Sequence, residues 1–130
     1  MTIEEKDRIG SLLKYEADKN YCREVVTVAS GQNLVMGTIV GEKSADGTYK
    51  VVNLVDPEDE EAVTDGSETP VGVLLADVDA STAAQQGLII ARDAIVIESA
   101  LVYPEDATAA QKKAILKGLE ARGIVARATA

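Results

Sequence analysis

The sequence predicts a mainly β, β-rich α+β domain of short strands with one C-terminal helix, preceded by a flexible N-terminal arm. The large apolar residues are Val, Ile and Leu, with no Phe and no Trp, and β-branched side chains favour the pleated surface of a sheet. Glycine and Asp-Gly turn signals recur between short apolar runs. A single segment near the C-terminus combines helical spacing with start and stop signals. A chain of 130 residues suits one domain with one core.

The N-terminal stretch, residues 1–23, is dense in charged residues and has few large apolar ones. Glycine and serine at positions 10 and 11 interrupt the helical spacing of those apolar residues. We therefore expect residues 1–23 to form an arm that is poorly ordered in the free protein. The folded domain is expected to span residues 24–130.

Short strands are predicted for the apolar runs within residues 25–28, 34–40 and 49–55. Residues 29–33 have the composition of a turn. Asp46-Gly47 is a pair that favours tight hairpins, so we expect residues 38–40 and 49–55 to form its two arms.

Residues 56–70 are predicted to form a long acidic loop. A cluster of carboxylates could bind Ca²⁺, but the loop lacks the spacing of an EF-hand, with glycine at its sixth position and glutamate at its twelfth. We therefore predict a solvated loop without a metal ion.

The last third of the chain is predicted to hold three more strands and the helix. The strands are residues 71–76, 88–91 and 94–97, and residues 79–87 are read as a connection of small side chains. Thr108 and Gln111 fit a capping box at the start of the helix, and Gly123 fits its end. Residues 124–127 are predicted to be a final strand or an extended tail. Connections by short turns favour an α+β domain over a βαβ fold.

The charge and the missing residue types restrict the function. A net charge of −9 disfavours binding to nucleic acid and to anionic membrane surfaces. Without histidine there is no imidazole base and no histidine-ligated metal site. The single cysteine, Cys22, has no histidine to activate it. We therefore expect no catalysis and no cofactor.

An alternative interpretation is a small β-barrel binding or carrier module without catalysis. The segment GQNLVMGTI at residues 31–39 resembles the pattern of biotinyl and lipoyl carrier domains. Such domains present a lysine at a tight hairpin, flanked by Asp or Met. This chain has Lys43 and Lys50 near Asp46-Gly47, but not in that motif.

Several segments, in order, resemble the phage lambda head decoration protein family. They are YCREVVTVASGQNL at 21–34, GTIVG at 37–41, TDGSETPVGVLL at 64–75, RDA at 92–94, TAAQK at 108–112 and GIVAR at 123–127. Together they cover most of residues 21–127. This resemblance implies a β-clip fold and a structural protein rather than an enzyme. An enzyme of the dUTPase type shares the β-clip topology, but its nucleotide motifs are not visible in this sequence.

The resemblance also implies partners and a place of action. Family members form homotrimers that dock at threefold and quasi-threefold sites on the outside of the expanded phage head. They clamp the major capsid protein against DNA pressure, after synthesis in the host cytoplasm. The arm is expected to add a strand to the capsid protein. The residues expected to anchor it are Leu12, Leu13, Tyr15, Tyr21 and Val25.

Overall fold

The computed structural model describes residues 12–52, 65–104 and 107–128. These residues form ten strands, a short helix α1, a 3-10 turn at Glu98–Ala100 and one longer helix α2. In chain order the elements are β1 (Leu13–Glu16), α1 (Lys19–Cys22), β2 (Arg23–Val28), β3 (Gln32–Leu34), β4 (Ile39–Glu42), β5 (Tyr49–Val51), β6 (Gly72–Leu74), β7 (Val78–Ala80), β8 (Gln85–Ile90), β9 (Ala94–Ile97), α2 (Ala109–Glu120) and β10 (Ile124–Arg127). The predicted β-rich class with one C-terminal helix is confirmed.

Five strands close into a barrel in the order β2-β5-β4-β6-β8. The longest pairing joins β2 to β8 in antiparallel register, from Arg23 opposite Ile90 to Val28 opposite Gln85. The predicted hairpin is confirmed, since β4 and β5 are antiparallel and the amide of Lys43 donates to the carbonyl of Thr48 at 2.8 Å. Outside the barrel, β3 and β7 form a two-stranded sheet.

The barrel wall separates two hydrophobic clusters. Successive side chains of a strand point to opposite faces, and three strands place one buried side chain in each cluster. The cluster inside the barrel receives Val40, Leu74 and Ile89. The second cluster lies between the barrel, α2 and the sheet formed by β1, β9 and β10, and it receives Ile39, Val73 and Ile90. Both faces of these central strands are therefore buried, which accounts for their continuous apolar runs.

The second cluster is covered by a three-stranded sheet in the order β1-β9-β10. Strands β9 and β10 are parallel, from Ala94 opposite Ile124 to Ile97 opposite Arg127. Helix α2 connects them and buries Ile115 and Leu119. This one connection is a βαβ unit within a domain whose other described strand pairs are mostly antiparallel. Parallel strands need a crossover of this kind, because a short turn cannot return the chain to the same end of the sheet.

Helix α2 has the predicted ends. The Thr108 side chain accepts a hydrogen bond from the amide of Gln111 at 3.1 Å, and the Gln111 side chain accepts one from the amide of Thr108 at 2.9 Å. Gly123 follows the helix with φ of +79°, a conformation that costs glycine little. A Cβ at this position would also collide with Asp93.

Residues 12–22 lie against the folded body. Leu12 is fully buried, and β1 pairs with β9. The amide of Ala17 donates to the carbonyl of Asp93 at 3.1 Å, and Cys22 is buried. These residues fall within the segment expected to be an arm, whereas residues 1–11 lie outside the described residues.

The connection expected at residues 79–87 instead contains most of β7 and the start of β8. The first residues of β8 are exposed glutamines, so this strand lacks an apolar signal at its start. Most of the predicted acidic loop, from 56 to 64, lies outside the described residues. Among those that are described, no helix has the length and apolar character needed to cross a membrane.

Candidate functional site

Three exposed apolar side chains lie close together along the chain at the corner formed by β1, α1 and β2. They are Tyr15, Tyr21 and Val25, with 56%, 57% and 66% of their surface exposed, and we call them the corner residues. Among the described residues only Val35 and Val102 are also large, apolar and exposed, at 49% and 37%. Exposed aromatic side chains are common anchors in protein interfaces. The corner is therefore the leading candidate for a contact surface.

Tyr21 on α1 is held by Arg92, which follows β8. The guanidinium carbon lies 5.0 Å from the centroid of the Tyr21 ring. The same guanidinium donates to the Tyr21 carbonyl and, at 2.8 Å, to the carboxylate of Glu24. The hydrogen bond to Glu24 raises the pKa of Arg92. At exposed sites a cation–π contact contributes about 0.5–1 kcal/mol, so Arg92 restrains the ring while leaving more than half of it exposed.

Tyr15 lies on β1, whose end is tied to β2 by an ion pair. Arg23 donates from Nε to Glu16 at 2.9 Å and from Nη2 at 2.6 Å. The guanidinium fork thus holds both carboxylate oxygens, a geometry that is stronger and more directional than a single contact. Hydrogen bonding to Glu16 raises the pKa of Arg23.

Val25 is exposed because β2 has one buried and one exposed face in its second half. Val26 and Val28 point into the barrel, whereas Val25 and Thr27 point outward. Val25 lies opposite Leu88 of β8 in the barrel register. The pairing with β8 therefore fixes the position of this exposed side chain.

The structure separates the five predicted anchoring residues into two groups. Tyr15, Tyr21 and Val25 are exposed. Leu12 is fully buried in the second hydrophobic cluster, and Leu13 is half-buried against that cluster. The carbonyl of Leu12 also accepts a hydrogen bond from the amide of Ile97 at 2.7 Å. In this arrangement Leu12 fastens β1 to the body, so it offers no surface to a partner.

The two lysines of the alternative carrier interpretation flank the hairpin turn instead of occupying its tip. Lys50 Nζ lies 3.0 Å from the Asp65 carboxylate, and Lys43 Nζ lies 4.0 Å from that of Asp46. Asp65 also accepts hydrogen bonds from the hydroxyl and amide of Ser67, and these contacts lower its pKa to about 2. The arrangement fastens the chain around Asp65 to the barrel.

Cys22 is enclosed by backbone. Its Sγ lies 3.4 Å from the amide of Asp18 and 3.6 Å from the carbonyl of Asp93. The thiol therefore contributes to packing between α1 and the turn before β9. In the part of the chain that the structure describes, no three His, Cys, Asp or Glu residues form a group that could hold a metal ion.

The sequence model of one family, Bacteriophage lambda head decoration protein D, matches residues 2–124 of the 130-residue chain. The chain belongs to this family. No curated protein matches it. As a member of the head decoration protein D family, it is a structural protein that decorates the capsid of the phage head. The match starts at residue 2, so the charged N-terminal stretch is part of the family pattern.

Sequence reasoning did not identify the charged residues that hold the corner of this head decoration protein. Arg92 and Tyr21 are 71 positions apart, so no local spacing reports their contact. Glu16 and Arg23 are only seven positions apart, but a strand end and α1 separate them, and neither helical nor strand periodicity predicts their meeting.

Proposed function

We propose that the protein binds as a homotrimer to the outside of the expanded phage head, at threefold and quasi-threefold sites, and stabilises the head against the pressure of packaged DNA. Its partner in this proposal is the major capsid protein. The match to the head decoration protein D family over residues 2–124 is the observation that carries the proposal.

The corner residues are proposed to form part of the capsid contact. Tyr15 and Tyr21 combine large apolar rings with restraint by neighbouring elements, which lowers the entropy lost when an interface forms. Residues 1–11 end one residue before β1, so a contact made by them would be close in sequence to Tyr15. We propose that these residues add a strand to the capsid protein.

The acidity of the chain supports a role on the outer surface of the head. A net charge of −9 favours solubility and repels packaged DNA. A ligand that binds only the expanded lattice stabilises it by mass action, by about 2.7 kcal/mol per site at a free concentration of 100 Kd. Three linked copies would add avidity, since the second and third contacts are intramolecular.

The test adds purified protein to empty expanded shells and to unexpanded shells, followed by sedimentation and imaging. We expect saturable binding to expanded shells only, with density from three chains at the threefold positions. Binding to neither form of shell, or to both equally, would overturn the proposal.

One truncation and three substitutions test which part of the protein contacts the capsid. Removal of residues 1–11 is the appropriate truncation, because a longer one would also remove the buried Leu12. Tyr15→Ser and Val25→Thr should each weaken shell binding, whereas Val35→Thr, a change at another exposed valine, should not. Equal losses for all three substitutions would place the contact elsewhere.

The same preparation distinguishes the carrier alternative. Intact-mass measurement after co-expression with a biotin or lipoyl ligase should show no added mass. A modified Lys43 or Lys50 would favour the carrier interpretation over the capsid role.

A further inference from the structure

A groove of about 770 Å³ lies at the opposite end of the chain from the corner residues. Glu98 and Ser99, on one side of it, directly follow β9, and Ala128 directly follows β10. The other side is formed by the first two turns of α2, including Lys112 and Lys113. The groove therefore lies outside the carboxyl ends of two parallel strands, beside the N-terminal half of their connecting helix.

The groove combines an apolar lining with two cations. Leu101, Tyr103 and Leu116 contribute apolar surface. Lys112 Nζ lies 5.4 Å from the centroid of the Tyr103 ring, and Lys113 is exposed beside it. Among the described residues neither lysine has a carboxylate within ion-pair distance.

The electrostatics differ between the two sides. The first turn of a helix carries partial positive charge, which adds to the charge of Lys112 at the end of that turn. Glu98 places one negative charge on the opposite side. Burial and the nearby Glu98 raise the pKa of Tyr103, and its phenol can donate a hydrogen bond. The favoured place for an anion is thus on the helix side.

We propose that this groove binds an acidic peptide segment of a partner protein. Carboxylates of the segment would pair with Lys112 and Lys113, and an apolar side chain would pack against Leu101, Tyr103 and Leu116. The groove is too large for a single small anion to fill, because sites of this size usually enclose ligands with several functional groups. Nucleic acid fits less well because two lysines opposite one glutamate are a small basic surface for a phosphate backbone.

The proposal does not depend on capsid binding and is tested without shells. The probe is a fluorescein-labelled peptide, Leu-Asp-Glu-Leu-Asp-Glu, whose binding to the full chain is followed by anisotropy and by amide chemical shifts. We expect the largest shifts at residues 98–103 and 109–116, and weaker binding at higher salt. A peptide with Asn and Gln in place of Asp and Glu should bind less tightly.

Substitutions of lysine test whether Lys112 and Lys113 bind the acidic peptide. Lys112→Gln combined with Lys113→Gln should weaken binding of the acidic peptide roughly 3- to 10-fold, the effect of losing two exposed ion pairs. Lys117→Gln is the control, because Lys117 is exposed on the same helix outside the groove. Equal effects of the double variant and the control would overturn the proposal, as would equal binding of the neutral peptide. Tighter binding of a single-stranded oligothymidine than of the acidic peptide would overturn it in favour of nucleic acid.

Discussion

Arg23 holds both carboxylate oxygens of Glu16, at 2.9 and 2.6 Å, and so joins the first residue of β2 to the last residue of β1. Both side chains are mostly shielded, with 24% and 17% of their surface exposed. Together with the pairing of β1 to β9, this contact fastens residues 12–22 to the folded body. A partner that meets the corner residues therefore meets a pre-arranged surface.

Loss of the carboxylate should loosen this fastening. We expect Glu16→Gln to lower the free energy of unfolding by about 1 kcal/mol, because a two-point ion pair becomes a single hydrogen bond from the guanidinium to a neutral amide oxygen. Amide exchange at Leu13–Glu16 should become faster. Glu24→Gln is the control, since the pair of Glu24 with Arg92 is more exposed and should contribute less than about 0.5 kcal/mol. Similar effects of the two substitutions in denaturant unfolding would contradict this role of the Glu16–Arg23 pair.

Leu12 should behave as a core residue. Leu12→Ala removes a fully buried side chain and should destabilise the protein by about 2–5 kcal/mol, measured by denaturant unfolding. Lys14→Ala, at an exposed position two residues later, should change stability by no more than about 0.5 kcal/mol. An unchanged free energy of unfolding for Leu12→Ala would mean that residues 12–22 do not pack against the folded body in the absence of a partner.

The capping box of α2 should contribute measurably to stability. Thr108→Ala removes the acceptor for the amide of Gln111 and should cost about 1 kcal/mol. Thr108→Ser keeps the hydroxyl and should retain most of the stability. Thermal unfolding of the three proteins measures the order. A Thr108→Ser variant as unstable as Thr108→Ala would show that the hydroxyl is not the stabilising group.

Asp65 should make the free energy of unfolding depend on pH in acidic solution. Its pKa falls from the ordinary 3.8 to about 2 in the folded state, first because of the hydrogen bond from the Ser67 side chain. A depressed folded pKa stabilises the protein above the unfolded value, and this contribution disappears as the pH falls from about 4 to about 2. Because Asp65 is partly exposed, we expect about 1 kcal/mol after allowance for solvent screening.

The comparison variant for this pH dependence is Asp65→Asn. At neutral pH it should be less stable than the natural chain, and the two unfolding free energies should converge near pH 2. A difference that stays constant between pH 6 and pH 2 would show that the charge of Asp65 does not contribute.

Local signals in the sequence predicted the features that depend on local chemistry. The Asp46-Gly47 turn and the Thr108 cap are set by neighbouring residues, so both could be read directly. The parallel direction of the β9–β10 pairing could not be predicted, because the partners Ala94 and Ile124 are 30 positions apart. Side-chain periodicity does not help, since it is the same in parallel and antiparallel strands. The start of β8 was missed because its two glutamines face solvent.

The candidate site was predictable only in part, for a related reason. The apolar character of Tyr15, Tyr21 and Val25 in a polar stretch identified residues that are exposed in the fold. Leu12 gave the same signal, but the cluster beneath β9 buries it. Hydrophobicity in a sequence shows that a residue prefers to be covered, whereas the tertiary fold decides whether the chain itself or a partner covers it.

The most direct test of the capsid role is imaging of empty expanded heads after addition of the purified protein. We expect three-chain density on the outer surface at the threefold and quasi-threefold positions. The chain lacking residues 1–11, and Tyr15→Ser, should show weaker occupancy at equal protein concentration. Undecorated expanded heads at saturating protein would contradict the capsid role.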